Sequence, residues 1–200
     1  MRHANRAWKS LCATMALLVA LACGLPVAYA ATETADTPAA DGVAGAWQHH
    51  KVTFSYIGFT SLYTCDGLEN RVRQILVHMG ARKDAKVTAR GCPGVYDTPS
   101  PTAWVEADFF TLAPVFSAGG SDTVRTQWAA VEVTPRRPNF MGDGDCALVQ
   151  GMKDLITKNF TLRNLEYRTS CTPYHFTLDG FAIKGQALRA VPLTTSAAIG

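Results

Sequence analysis

Two stretches of the chain each place a cysteine before a helix-like segment and a second cysteine behind the strand-like segment that follows. They read TCDGLENRVRQILVHMGARKDAKVTARGC and DCALVQGMKDLITKNFTLRNLEYRTSC. The spacing from Cys65 to Cys92 is 27 residues, and the spacing from Cys146 to Cys171 is 25. This repetition predicts two related structural units, each holding its own pair of cysteines.

The first thirty residues have the pattern of a secretory signal peptide. MRHANRAWK is basic, LCATMALLVALACGLPV is apolar, and AYA, ending at Ala30, is a small-x-small cleavage site. A glycine and a proline end the apolar run before the roughly 20 residues that a membrane-spanning helix needs. We therefore expect cleavage after Ala30 and no transmembrane segment in the mature chain. The alternative is a lipoprotein anchored through Cys23, in the lipobox-like LACG.

Removal of the leader leaves four cysteines, and an even number in an exported protein predicts two disulfides. If each unit is a strand, a crossover helix and a strand parallel to the first, the returning strand covers the length of the helix. The residue that opens the helix then meets the one that closes the strand. This predicts Cys65–Cys92 and Cys146–Cys171, with two other connectivities open. Zinc is disfavoured because structural zinc sites use close pairs such as C-x-x-C.

The first unit has the clearest helix pattern in the chain. A strand with alternating apolar and polar residues is expected to begin near Trp47. Asp66 and Glu69 match a capping box at the start of a helix, and Gly80 is a suitable residue to end that helix. The apolar face of this helix comprises Leu68, Val72, Ile75, Leu76 and Met79.

The second unit follows the same order. Asp145 is expected to cap a single helix with one apolar face. Trp47, Trp104 and Trp128 fall in or beside strands, so we expect them to pack in the core. The remaining strands are predicted at residues 86–92, 104–112, 127–134, 165–171 and 175–184.

These elements predict an α+β fold built from duplicated βαββ units. The expected architecture is a two-layer sandwich on a ferredoxin-like plan, with about six strands and two helices on one face. The predicted segments are a signal peptide at 1–30, a flexible linker at 31–46, one disulfide-stapled domain at 47–191 and a frayed tail at 192–200. The pseudo-repeats are expected at about 47–118 and 123–191.

The charge balance disfavours nucleic acid as a ligand. The chain has 19 Lys and Arg, but three of them lie in the leader, so the rest balance the 16 Asp and Glu. The mature protein then lacks the basic surface that phosphate backbones require. Arg136-Arg137, flanked by prolines, is interpreted as a solvated loop.

No complete catalytic or metal-binding motif is present. G-x-S-x-G, H-E-x-x-H, the P-loop, G-x-G-x-x-G and C-x-x-C are all missing from the sequence. His49 and His50 are expected just before the first strand, and because adjacent side chains in extended chain point to opposite faces, a shared metal ion is disfavoured. The acidic pair in MGDGDC resembles the start of a calcium loop but lacks its distal Glu. His175 and Asp66 are candidate acid/base groups near the disulfide-bearing end.

The stretches YTCDGLENRVRQIL, VTARGCPG, GDCALVQ and YRTSCTPYHFTL resemble a group of uncharacterised exported proteins of Gram-negative bacteria. The resemblance covers most of the mature domain and is most specific around the cysteines. It implies a periplasmic or secreted location and carries no activity, cofactor or active site.

The pattern therefore favours an exported, non-enzymatic binding or interaction module for an unknown protein or small-molecule ligand. The alternative is a small periplasmic enzyme, hydrolase-like or metal-using, with its site near the disulfide-bearing end. A deep polar pocket that gathers His175, Asp66 or His49 would favour the enzyme, whereas a flat or apolar surface would favour binding.

Overall fold

The computed structural model describes residues 43–92, 98–115, 123–175 and 177–191 as an α+β fold with six strands and three helices. The predicted leader with Cys23, most of the predicted linker and the predicted tail lie outside the described residues. The strands are β1 (Val43–Ile57), β2 (Lys86–Arg90), β3 (Thr102–Pro114), β4 (Thr123–Val133), β5 (Leu162–Thr169) and β6 (Phe181–Ala190). The helices are α1 (Cys65–Met79), α2 (Cys146–Gly151) and α3 (Lys153–Asn159), and a 3₁₀ turn, Asp143–Asp145, precedes α2.

The six strands form one antiparallel sheet in the order β2-β3-β1-β4-β6-β5. β1 pairs with β3 along residues 45–57, whereas it meets β4 only where residues 43–46 pair with residues 123–126. β1 begins at Val43, before the predicted start near Trp47. No helix within the described ranges is long and apolar enough to cross a membrane.

Alternation along β3 divides its side chains between the core and the opposite face. Val105, Ala107 and Phe109 are fully buried, whereas Glu106 and Asp108 are partly exposed on the opposite face. The predicted two-residue period of this strand is therefore confirmed.

Helix α1 buries the five apolar residues that the periodicity predicts, and it ends at Gly80 in a left-handed conformation with φ of 113°. The predicted cap is wrong. The N-cap is Thr64, whose hydroxyl accepts a hydrogen bond from the Gly67 backbone at 3.0 Å. Glu69 points away from the helix start and accepts a hydrogen bond from the Ala89 backbone in β2 at 2.8 Å.

Both predicted disulfides form. Cys65 and Cys92 have Cα atoms 5.8 Å apart, and the Cα atoms of Cys146 and Cys171 are 5.7 Å apart. In each case the cysteine at the start of a helix meets the cysteine just after the next strand. Because β3 lies between β1 and β2 and is antiparallel to both, β1 and β2 run parallel without being neighbours.

The second helix is not the single helix that the sequence predicts. It breaks at Met152, whose ψ of 0° departs from helical geometry, directly after Gly151. Gly151 lies close to Phe54 and Ser55 of β1, so this break sits where α2 packs against the first half of the chain. The three helices therefore replace the two that were expected.

The last strand begins later than the sequence predicts. Residues 173–175 and 178–179 form turns and a bend, with Tyr174 and Asp179 in left-handed backbone conformations that are incompatible with an extended strand. β6 starts at Phe181. A bulge interrupts β5 at Asn164, which has a φ of 51° and lies opposite Gly185.

The three tryptophans do not pack in the core, which corrects the prediction for them. Trp104 is 68% exposed, because it alternates with inward-facing residues of β3. The ring of Trp128 stacks under the guanidinium of Arg163 at 3.8 Å, and the ring of Trp47 lies 5.7 Å from Arg82. The aromatic rings therefore lie on the side of the sheet that carries the charged residues.

Candidate functional site

The chain leaves β1 through a tight loop at residues 58–62 that packs back on Tyr56. Gly58 donates its backbone hydrogen bond to Pro101 at 2.6 Å. A Cβ at Gly58 would overlap the Ser61 carbonyl oxygen and the Tyr56 hydroxyl, so only glycine fits. The Tyr56 hydroxyl donates a hydrogen bond to the same Ser61 carbonyl.

This loop is fastened to the second half of the chain through Thr60. The Thr60 hydroxyl donates to the Gly144 carbonyl at 2.8 Å and accepts from the Ala147 backbone at 3.0 Å. The Tyr174 backbone donates to the Phe59 carbonyl at 2.9 Å. The segments that carry the two disulfides therefore meet at one end of the molecule.

A buried carboxylate, Asp145, lies beneath this end. The Tyr63 hydroxyl donates to its Oδ1 atom, and the Gly142 backbone donates to Oδ2 at 2.8 Å. Arg71 Nε lies 3.5 Å from Oδ1. The Asp145 side chain is only 4% exposed. Burial raises the pKa of Asp145 to about 6, and the hydrogen bond from Gly142 acts in the opposite direction.

Asp145 occupies the N-cap position of α2, as the sequence predicts, but its side chain makes no capping bond to that helix. Burial raises the pKa of Tyr56 as well, and the nearby negative charge of Asp145 adds to this effect. Because three donors surround the Asp145 carboxylate and solvent does not reach it, this network holds the loop, α1 and the 3₁₀ turn together. It has no surface on which to act on a ligand.

The same end carries an open cavity of about 470 Å³ on its surface. The loop at residues 58–62 forms most of its lining, and Tyr174 and His175 complete it. A second cavity of about 280 Å³ is lined by residues 55–57 and 102–104 together with Gly91. Both cavities therefore border the chain where it leaves β1.

Large apolar side chains stand exposed around these cavities. Leu62 is 55% exposed and Tyr174 is 91% exposed beside the larger cavity, and Ile57 and Trp104 border the smaller one. We refer to Ile57, Leu62, Trp104 and Tyr174 as the apolar end surface.

The candidate acid/base groups do not come together. His175 lines the larger cavity, and Asp66 is exposed in the first turn of α1. His49 Nε2 lies 2.9 Å from Asp108 Oδ1 on the sheet, while His50 bonds to Thr111 at 2.8 Å on the opposite face. Across the described ranges, no group of three His, Cys, Asp or Glu side chains could hold a metal ion.

A second surface feature is a polar groove of about 520 Å³ beside β4, β5 and β6. Sequence reasoning missed it, because its charged residues are far apart in the chain and Arg136-Arg137 resembled an ordinary loop. Four cations and two carboxylates line it: Arg136, Arg137, Arg168, Lys184, Glu132 and Asp179.

Comparison with models of protein families, with curated proteins and with solved structures returns no match for this chain.

Proposed function

We propose that the protein is an exported, disulfide-stabilised binding module that docks a partner protein on the apolar end surface. The observation that carries this proposal is the concentration of exposed apolar side chains at the end that both disulfides brace. Clustered exposed apolar side chains mark interaction sites, and Tyr and Trp are the residues most enriched at the energetic centres of interfaces.

The exposure of these side chains favours a protein over a small molecule. A small ligand is enclosed by the walls of its pocket. Tyr174, at 91% exposure, and Trp104, at 68%, stand clear of the surface instead, so covering them requires a partner with a surface of its own. The loop at residues 58–62 is held by the hydrogen bonds of Thr60 and Tyr56, and this limits the conformational entropy lost when a partner docks.

A periplasmic or secreted location fits the two disulfides, since these persist in oxidising compartments. Mass spectrometry of the mature N-terminus tests export. A chain beginning at Ala31 supports cleavage by signal peptidase, whereas an acylated Cys23 would indicate a lipoprotein.

We also propose that the chain comprises duplicated βαββ units on a ferredoxin-like plan. The strand orders β2-β3-β1 and β5-β6-β4 support it, because corresponding strands occupy corresponding places in the two halves. Contacts also cross between the halves, since His78 of α1 lies 3.0 Å from the Glu132 carbonyl of β4 and Gly151 of α2 lies against β1.

Site-specific photo-crosslinking in the native host tests the docking surface. A photoreactive amino acid at Tyr174 or Leu62 should capture one and the same partner, while the same group at the exposed Lys158 of α3 should not. The purified partner should then bind the wild-type protein, and Tyr174→Ala should weaken binding by about tenfold or more, as expected for an interface anchor. Equal capture from all three positions, or unchanged affinity in Tyr174→Ala, would contradict the docking surface.

Turnover of a hydrolase substrate panel tests the enzyme alternative. Activity that His175→Ala abolishes, in a protein with unchanged circular dichroism, would replace the binding proposal with catalysis at the larger cavity. We expect no such turnover, because His175 is exposed and has no carboxylate or hydroxyl partner positioned for it in the described ranges.

A further inference from the structure

The polar groove shares no lining residue with the two cavities at the apolar end surface. A tight turn after β4 forms one side of it: the Thr134 backbone donates to the Arg137 carbonyl at 2.6 Å, and the Arg137 backbone donates back at 3.2 Å. Arg168 of β5 and Lys184 of β6 reach the groove from the sheet. Four cations from three separate parts of the chain therefore meet in one groove.

Ion pairs hold most of these cations without neutralising the groove. Arg136 Nη1 lies 2.8 Å from Asp179 Oδ1. Glu132 is shared between Arg137, at 3.4 Å, and Lys184, at 3.6 Å. The lining residues comprise two carboxylates and four cations, so the lining itself has two excess positive charges, while Glu166 lies outside the lining, opposite Lys184 in the sheet.

Arg168 is the cation without a carboxylate partner among the described residues. Its Nη1 atom donates only to the Asp179 backbone carbonyl, at 3.3 Å. Its cross-strand partner is Ala182, a buried residue with a short side chain that also lines the groove. The remaining donors of this guanidinium are free to bind a ligand.

We infer that this groove binds the phosphoryl group of a small ligand. Guanidinium groups match phosphate geometry through paired hydrogen bonds, and several of them held around one point favour a doubly charged anion over a single carboxylate. The two excess positive charges equal the charge of a phosphate monoester dianion. The groove is too short a stretch of charge for a nucleic-acid backbone, which needs an extended basic surface.

A phosphoryl group can belong to a free molecule or to a lipid headgroup, and the assay has an arm for each. Calorimetric titration with inorganic phosphate measures the first, and co-sedimentation with phosphatidylcholine vesicles, with and without phosphatidic acid, measures the second. Saturable binding of one phosphate per protein supports a free ligand. Sedimentation only with phosphatidic acid supports a lipid headgroup.

Arg168→Gln is the test variant, and Arg163→Gln is its matched control. Both remove one positive charge from β5, but Arg163 lies over Trp128 outside the groove. We expect Arg168→Gln to weaken binding about tenfold, the effect of losing a charge-assisted hydrogen bond, and Arg163→Gln to leave the affinity unchanged. Absence of binding to both phosphate and vesicles, or equal weakening in the two variants, would overturn the inference.

Discussion

Replacement of Asp145 by Asn tests whether a buried charge weakens this fold at neutral pH. The carboxylate is enclosed by Tyr63, Arg71 and the Gly142 backbone, and its side chain is 4% exposed. Asn has nearly the same shape but cannot ionise. The variant therefore removes the titration of this group while leaving the packing of the 3₁₀ turn and α1 nearly unchanged.

The pKa of Asp145 determines the sign and size of the effect. It lies at about 6 in the folded protein, above the ordinary value of 3.8. The folded state therefore holds this proton more tightly than the unfolded state, and the resulting stability is present at low pH and lost as pH rises from 3.8 to about 6. At about 1.4 kcal/mol per pH unit, the loss amounts to about 3 kcal/mol.

Urea denaturation of the wild type and Asp145→Asn, with the disulfides intact, measures this loss. The unfolding free energy of the wild type minus that of the variant should fall by about 3 kcal/mol between acidic and neutral pH. Asp154→Asn is the control with the opposite sign. The hydrogen bond from Lys158 lowers the pKa of Asp154, so the contribution of Asp154 to the free energy of unfolding is lost as pH falls.

Two outcomes would refute the reasoning about Asp145. A constant difference across the pH range would mean that the pKa of Asp145 is the same in the folded and unfolded states. A difference that rises with pH would mean that Arg71 and Tyr63 stabilise the charged form more than burial destabilises it.

Three further substitutions test the scaffold through the free energy of unfolding. Replacing both Cys146 and Cys171 by Ser should lower it by about 3 kcal/mol, because the unfolded chain gains entropy; an unchanged urea midpoint would contradict this. Gly185→Ala should lower it by about 1–3 kcal/mol, because the added Cβ would lie 2.9 Å from the Arg163 carbonyl oxygen at the β5 bulge; a thermal melt at the wild-type temperature would show that the bulge adapts. Thr111→Val should lower it by about 1–3 kcal/mol, because it removes the buried hydroxyl that bonds at 2.7 Å to the end of α3; wild-type stability in urea would show that this bond contributes nothing.

Local patterns explain the parts of the fold that could be read from the chain. The apolar face of α1 and its terminator Gly80 follow from a helical period, and the buried face of β3 follows from a two-residue period. The predicted N-cap of α1 is wrong because Thr64 and Asp66 are both favourable capping residues and lie within one turn of each other. Only the observed backbone geometry selects Thr64 between them.

The functional surfaces could not be read in this way, because their residues are distant in the chain. The position of Asp145 before α2 predicts a capping side chain, whereas its carboxylate contacts Tyr63 and Arg71, which lie far away in the chain. Arg168 and Arg136 share a groove only because the turn after β4 lies beside the exposed face of β5 and β6. The hydrophobic periodicity of a single element carries no information about such neighbours.

The sequence by itself favoured Cys65–Cys92 and Cys146–Cys171 over the two other connectivities, because a helix and the strand that returns beside it cover similar lengths, and both disulfides form. Tertiary structure alone decided that β3 lies between β1 and β2, that α2 packs on the first half of the chain and that Asp145 is buried. The physical reason is that periodicity specifies which face of an element is buried, while the element that covers this face depends on the packing of the whole chain.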